Sequence, residues 1–134
     1  MELFSVDPAG EGRVLAEEVE GEAERNNHQY VVVEVDETAT GLCRDALVRV
    51  LQTENVLARK YFWPGAHRME PYRSLFPHAG LLLPETERIA ARVVVLPTGT
   101  AVSVDDVGVI CSLIRAALGD PARVGDRVRT LPQG

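Results

Sequence analysis

Residues 29–36, QYVVVEVD, indicate a β-strand more clearly than any other part of the chain. β-Branched side chains favour an extended backbone, and the alternation places Val31, Val33 and Val35 on one face. Residues 44–54 follow after a turn and carry apolar side chains at the spacing of one helical face. A strand followed by an amphipathic helix predicts a domain that mixes both kinds of element.

The rest of the chain continues this alternation of strands and helices. Residues 56–62 predict a second strand, and residues 93–97, VVVLP, a third. Pro84 suits the first turn of a helix, where Glu87 complements the helix dipole. Ser103 has the spacing of a capping box at the start of the last helix. We therefore expect an α+β fold, with a small, mainly antiparallel sheet and helices packed on one face.

The charge divides the chain of 134 residues into unequal parts. Residues 1–25 hold eight acids and two arginines, so all of the formal net charge of −6 lies there. We expect an acidic N-terminal segment at residues 1–23 and one domain at residues 24–119. The apolar pattern ends near residue 120, which predicts a mobile tail at residues 120–134.

The composition argues against several classes of function. Outside the acidic segment no basic surplus is left to attract nucleic acid, and no apolar run approaches the roughly 20 residues of a membrane span. We therefore expect a cytoplasmic protein. Cys43 and Cys111 lie far apart among apolar residues and are interpreted as buried, reduced thiols. The histidines have no metal-ligand spacing, so no metal site is predicted.

Residues 58–73, ARKYFWPGAHRMEPYR, concentrate the side chains that suit ligand recognition. They include the only lysine and the only tryptophan of the chain. Arginines pair with phosphate oxygens, and aromatic rings stack on bases or sugars, so the segment is interpreted as a loop that contacts a ligand or partner. The alternative is aromatic packing within an irregular loop. Lys60 has no phosphate-binding glycine-rich turn nearby and is interpreted as an exposed or phosphate-facing cation.

Three segments resemble, in unbroken order, the DegT/DnrJ/EryC1/StrS aminotransferases. These are pyridoxal-phosphate (PLP) enzymes that place amino groups on nucleotide-linked keto-sugars. The segments are residues 25–36, 41–73 and 83–106. Their motifs are an N-x-x-Y strand entry, an R-D-x-L helix start, an A-R-x-Y-F-x-P-x-x-H loop and an L-P-T-G turn. The resemblance covers about residues 24–119 and concerns the C-terminal, smaller domain of the family.

This resemblance implies a set of substrate-binding residues and no catalytic ones. The loop of the family approaches the cofactor cleft, and its Tyr and His help to define the pocket for the nucleotide-sugar. Carried over, these residues are Tyr61 and His67, with Arg59 and Tyr72 as further candidates. Lys60 does not occupy the place of the lysine that holds PLP, which belongs to the large domain of the family. The chain alone is therefore expected to bind no cofactor and to be inactive.

Two descriptions of the chain follow from the resemblance. The first is the C-terminal domain of a PLP-dependent sugar aminotransferase, truncated before its cofactor domain, from amino-sugar or antibiotic biosynthesis. The alternative is a free-standing binding or assembly module that complements, or dimerises with, a separate aminotransferase chain. Both predict a nucleotide-sugar ligand only together with a large domain, and a homo-oligomer or an association with an aminotransferase chain. A third hypothesis, an unrelated small enzyme centred on His67, is the least favoured.

Overall fold

A computed structural model describes the strand Leu3–Phe4 and residues 30–130 of the chain. The rest of the acidic N-terminal segment and residues 131–134 lie outside the described residues. The predicted boundary at residue 24 falls in this undescribed part and stays a prediction.

A three-stranded sheet forms the centre of the fold, in the order β1-β2-β3. These strands are β1 (Leu3–Phe4), β2 (Val31–Glu34) and β3 (Val93–Leu96). The longer pairing, between β2 and β3, is antiparallel with Val32 opposite Val95, and β1 lies parallel to β2. The strands predicted around residues 29–36 and 93–97 are confirmed, and so is the α+β fold.

The helices of the described residues lie between and after these strands. They are α1 (Glu37–Thr40), α2 (Arg44–Thr53), α3 (Tyr72–Leu75), α4 (Ala79–Leu82), α5 (Pro84–Arg92), α6 (Val104–Gly119) and α7 (Pro121–Thr130), with one 3₁₀ turn at Ala66–Arg68. Pro84 begins α5 as predicted. The predicted capping box of α6 is present, since Ser103 Oγ accepts from Asp106 N–H and the Asp106 carboxylate accepts from Ser103 N–H.

Helix α2 carries the core of the domain. Its buried side chains include Leu47, Val48 and Leu51, which pack with Val94 of the sheet and Ile110 of α6. Leu51 is fully enclosed, with 0% of its surface exposed. Burying a leucine of this kind contributes about 2 kcal/mol. The amphipathic pattern of residues 44–54 thus correctly predicted this helix, against which α6 and α7 pack.

The predicted strand at residues 56–62 is wrong. Only Arg59 pairs there, with Val95 of β3: Arg59 N–H donates to Val95 O at 3.0 Å, and Val95 N–H donates to Arg59 O at 2.9 Å. The chain then turns at residues 61–64, where Phe62 takes a positive φ of 57°. Apolar and aromatic composition suggested a strand, but a left-handed backbone ends extended pairing after one residue.

The predicted tail also differs from the structure. Residues 121–130 form α7, and Val124 and Val128, one turn apart, pack against the core beside α2 and α6. Pro121 suits the first turn of a helix, whereas the Gly and Arg content of this segment suggested an irregular chain. Two valines at i and i+4 are enough apolar surface to dock a ten-residue helix on a neighbouring one.

Candidate functional site

The aromatic loop, defined as residues 59–73, begins at the edge of the sheet. The backbone pairs of Arg59 with Val95 hold its first residue, and the Arg59 side chain is exposed. The next residues turn away from the sheet, and the loop continues through the 3₁₀ turn to α3. This start places the following side chains next to α2 and β2.

The Lys60 side chain contacts a carboxylate and an aromatic ring. Its Nζ lies 3.1 Å from Asp45 Oδ2 and 5.2 Å from the centre of the Trp63 ring, and its side chain is about one-third exposed. Partial burial opposes the charged form of Asp45, but hydrogen bonds from Lys60 and Arg44 outweigh it and lower the pKa of that carboxyl. An ammonium held in this way is not a free amine nucleophile.

Tyr61 belongs to a group of three aromatic rings. Its ring centre lies 4.9 Å from that of Tyr30 and 4.2 Å from that of Phe62, the second pair edge to face. A hydrogen bond with Tyr30 is the main reason that the pKa of Tyr61 is raised. Tyr30 is the tyrosine of the N-x-x-Y motif, so two motifs far apart in sequence meet here.

His67 lies almost fully buried against α5. Its Nε2 is 2.7 Å from Glu87 Oε1, and its side chain is 8% exposed. Arg68 donates two hydrogen bonds to the same carboxylate: Nε lies 2.6 Å from Oε1 and Nη2 lies 2.8 Å from Oε2. The hydrogen bonds from Arg68 first, and from His67 second, lower the pKa of Glu87 to about 2. Nε2 of His67 is thus engaged within the protein.

Two backbone positions shape the loop around these contacts. Gly65 has a φ of 93°, and a Cβ built on it would lie 2.7 Å from Cε1 of His67. Only glycine fits both the conformation and the space. Phe62, with its positive φ, holds a conformation that costs a non-glycine residue about 1 kcal/mol or more.

The four predicted site residues do not meet in one cavity. Two grooves flank α2, one of about 830 Å³ that includes Lys60 and one of about 440 Å³ that includes Trp63. None of the four lines either groove. Arg59 and Tyr72 are exposed, Tyr61 is half-buried in its ring group, and His67 is enclosed by its contact with Glu87.

Exposed apolar side chains concentrate between residues 57 and 83. We call this set the apolar face; its members are Leu57, Phe62, Trp63, Met69, Tyr72, Leu75, Phe76, Leu81, Leu82 and Leu83. Leu81 and Leu82 are each 81% exposed. Exposed apolar surface of this extent marks contact regions in soluble proteins. It surrounds the same loop that carries the predicted site residues.

Sequence reasoning missed Tyr30, Asp45 and Glu87 as parts of this site. The first two lie inside the strand-entry and helix-start motifs, so the motifs themselves held the signal. Glu87 was interpreted only as a complement to the helix dipole, because nothing in the sequence pairs it with a loop 20 residues away. Within residues 30–130 no cluster of acids, cysteines and histidines forms a metal site, and no described helix is long and apolar enough to cross a membrane.

Comparison with known proteins assigns this domain to a family. Residues 9–115 match the DegT/DnrJ/EryC1/StrS aminotransferase family, a range that starts inside the segment interpreted as an acidic leader. The crystal structure of DesI in the presence of its TDP-sugar product superimposes with a TM-score of 0.69 and 50% sequence identity over 78% of this chain. The chain spans 26% of that protein. It therefore belongs to the DegT/DnrJ/EryC1/StrS aminotransferase family.

Proposed function

We propose that this chain is the C-terminal small domain of a PLP-dependent sugar aminotransferase. Its aromatic loop forms one wall of a pocket for a nucleotide-linked keto-sugar. The likeness to DesI, whose structure was determined with a TDP-sugar product, supports a substrate of this class. The observation that carries the proposal is the loop itself, whose arginine and aromatic side chains are presented to solvent by a backbone fixed to β3.

The described residues do not fit a site for PLP. The family is PLP-dependent and needs a lysine amine to hold the cofactor. The one lysine of the chain, Lys60, is engaged by Asp45 and Trp63. We therefore propose that the cofactor and its lysine belong to a large domain and that residues 1–134 alone do not catalyse amino transfer.

Each predicted site residue has a role that its position allows. The exposed Arg59 guanidinium pairs with phosphate oxygens of the nucleotide. Tyr72, half-exposed at the start of α3, offers a ring for stacking. Tyr61 contributes the edge of its ring group, and His67 shapes the pocket from behind the loop, through its contact with Glu87.

Complementation tests this function. The purified chain is mixed with the large domain of a relative such as DesI, and amino transfer from glutamate to a nucleotide-linked keto-sugar is measured. We expect turnover in the mixture only, and a rise in KM for the sugar with Arg59→Ala. Arg115→Ala, an exposed change on α6, is the matched control and leaves KM unchanged. Turnover by the chain alone would contradict the proposal, as would an inactive mixture in which size-exclusion chromatography shows a complex.

The apolar face favours a second candidate function, that of an assembly module. Side chains such as Phe62 at 79% and Leu81 at 81% exposure are stabilised when a partner covers them. We propose that this face contacts a large domain or a second aminotransferase chain. Light scattering after size-exclusion chromatography tests the association: we expect a dimer, and Leu81→Ser with Leu82→Ser shifts it to a monomer. A monomeric wild-type chain that also fails to bind a large domain would contradict this candidate.

A further inference from the structure

One carboxylate ties two consecutive loop residues to the rest of the domain. Glu87 on α5 receives His67 Nε2 at 2.7 Å and the Arg68 guanidinium at 2.6 and 2.8 Å. Both of its oxygens are in use, and the two loop residues lie in the 3₁₀ turn Ala66–Arg68 at the middle of the aromatic loop. A single residue of α5 thus meets the loop at its centre.

The contact with Glu87 requires a proton on Nε2 of His67. An ionised carboxylate only accepts hydrogen bonds, so His67 must carry a proton on Nε2. Arg68 meets the same group with two parallel N–H donors, which fixes the orientation of the carboxylate as well as its position. The His67 ring is then enclosed on its other side by Gly65, where no side chain fits.

Other hydrogen bonds and ion pairs hold the loop towards its two ends. Arg59 holds the beginning of the loop through β3, and Lys60 is fixed to α2 through Asp45. Glu70 bonds Arg73 and Ser74, which are neighbours in the same stretch of chain. These bonds shape the loop but do not tie its second half to the sheet or the long helices.

We propose that Glu87 is a positioning residue that sets where the middle of the aromatic loop stands relative to the domain, and so where Tyr61 and Tyr72 meet the substrate. The consequence for the substrate rests on the proposed function. The positioning itself does not, because it concerns contacts within this chain. His67 and Arg68 act in this scheme as the attachment of the loop and not as ligands of the nucleotide-sugar.

Trp63 and His67 give two readouts of this positioning in the isolated chain. Trp63 is the only tryptophan and lies in the loop, so quenching of its fluorescence by acrylamide reports on the loop alone. Nitrogen NMR of labelled histidine, assigned with His67→Gln, reports which nitrogen of His67 carries the proton. The variants are Glu87→Gln and Glu87→Ala. Glu85→Gln is the matched control, since Glu85 lies on the same helix but pairs with Arg88.

We expect wild-type His67 to show a protonated, hydrogen-bonded Nε2, and we expect Glu87→Ala, which leaves no acceptor, to lose that signature. Glu87→Gln keeps an oxygen that accepts from His67 but loses the charge and the second acceptor for Arg68. Quenching of Trp63 then rises in both variants and stays at the wild-type level in Glu85→Gln. The proposal is overturned if wild-type His67 carries its proton on Nδ1 alone, a result that needs no variant. It is also overturned if folded Glu87→Ala leaves both signals as in the control.

The active mixture of the complementation experiment adds a kinetic readout. We expect Glu87→Gln to raise KM for the nucleotide-sugar several-fold while KM for the amino donor is unchanged, because the loop is proposed to contact the nucleotide-sugar. Equal changes in both constants would show a merely structural role. If the mixture is inactive, the proposed function has failed, and the two readouts in the isolated chain still decide the positioning role.

Discussion

At the scale of single residues, Arg44 shows how a motif residue serves the fold. It is 3% exposed, and its Nη1 donates to the backbone oxygens of Ala90 at 3.0 Å and Val93 at 2.8 Å. The first residue of the R-D-x-L motif therefore joins the start of α2 to the junction of α5 and β3. Its neighbour Asp45 faces the aromatic loop through Lys60. The motif connects the core with the candidate site.

Replacing Arg44 tests this connection. Arg44→Ala leaves two buried carbonyl groups without their donor and opens a cavity, so we expect the free energy of unfolding to fall by about 3 kcal/mol. Arg73→Ala is the control, because its pair with Glu70 is exposed on the surface and contributes little to stability. Urea unfolding of both variants measures the difference. Equal losses for the two arginines would contradict the structural role of Arg44.

Gly65 tests the shape of the loop. An alanine there must take a positive φ and place its Cβ against the His67 ring, so we expect Gly65→Ala to lower the free energy of unfolding by roughly 2 kcal/mol. Gly108→Ala, in α6 with open space around its Cβ, is expected to raise it by up to about 1 kcal/mol. Thermal unfolding of the two variants and the wild type measures both changes in stability. A neutral Gly65→Ala would show that the loop can adopt another path.

Glu87 makes stability depend on pH in acid. Its pKa is lowered from 4.5 to about 2 in the folded chain, so the charged group stabilises the fold above pH 4.5. That contribution is lost as pH falls from 4.5 towards 2. We expect wild type to have a larger free energy of unfolding than Glu87→Gln at neutral pH. This difference should narrow as pH falls from 4.5 towards 2. Urea unfolding of both proteins at several pH values measures this difference. A difference that does not change with pH would contradict the lowered pKa of Glu87.

At the scale of elements, α7 is the part that the sequence did not reveal. Its branched apolar residues are two valines in a segment with three arginines and one glycine, and such a weak pattern does not distinguish a docked helix from a tail. The docking surface is supplied by α6, which directly precedes α7, and by α2, which lies far away in sequence. Helices α2, α5 and α6 were predictable because each carries its own start signal or apolar stripe.

Substitution of one packed valine by aspartate tests the docking of α7. Val128→Asp places a carboxylate in the contact with α2, so we expect a loss of roughly 2 kcal/mol in the free energy of unfolding and a lower helical signal in circular dichroism. Arg127→Asp, on the exposed side of the same helix, is the matched control with little effect. If both variants behave alike, α7 does not pack as described.

At the scale of the whole molecule, local pattern predicted the fold class and the loop, but not the contacts of the loop. Val31, Val33 and Val35 predict a strand from local sequence alone. The contact between Glu87 and His67 joins residues 20 positions apart, with α3 and α4 between them. The interpretation of Lys60 as a cation without a cofactor role followed from its neighbours in sequence. Its contacts with Asp45 and Trp63 required the structure.

The central claim is that this chain supplies a substrate-facing loop and not the lysine that holds PLP. Borohydride reduction of the purified chain with equimolar PLP, followed by peptide mass spectrometry, tests it most directly, with Lys60→Arg as the control. We predict that the fraction of Lys60 modified is no larger than the fraction that equimolar PLP modifies of any exposed surface amine. Stoichiometric PLP at Lys60, absent from the variant, would contradict the account.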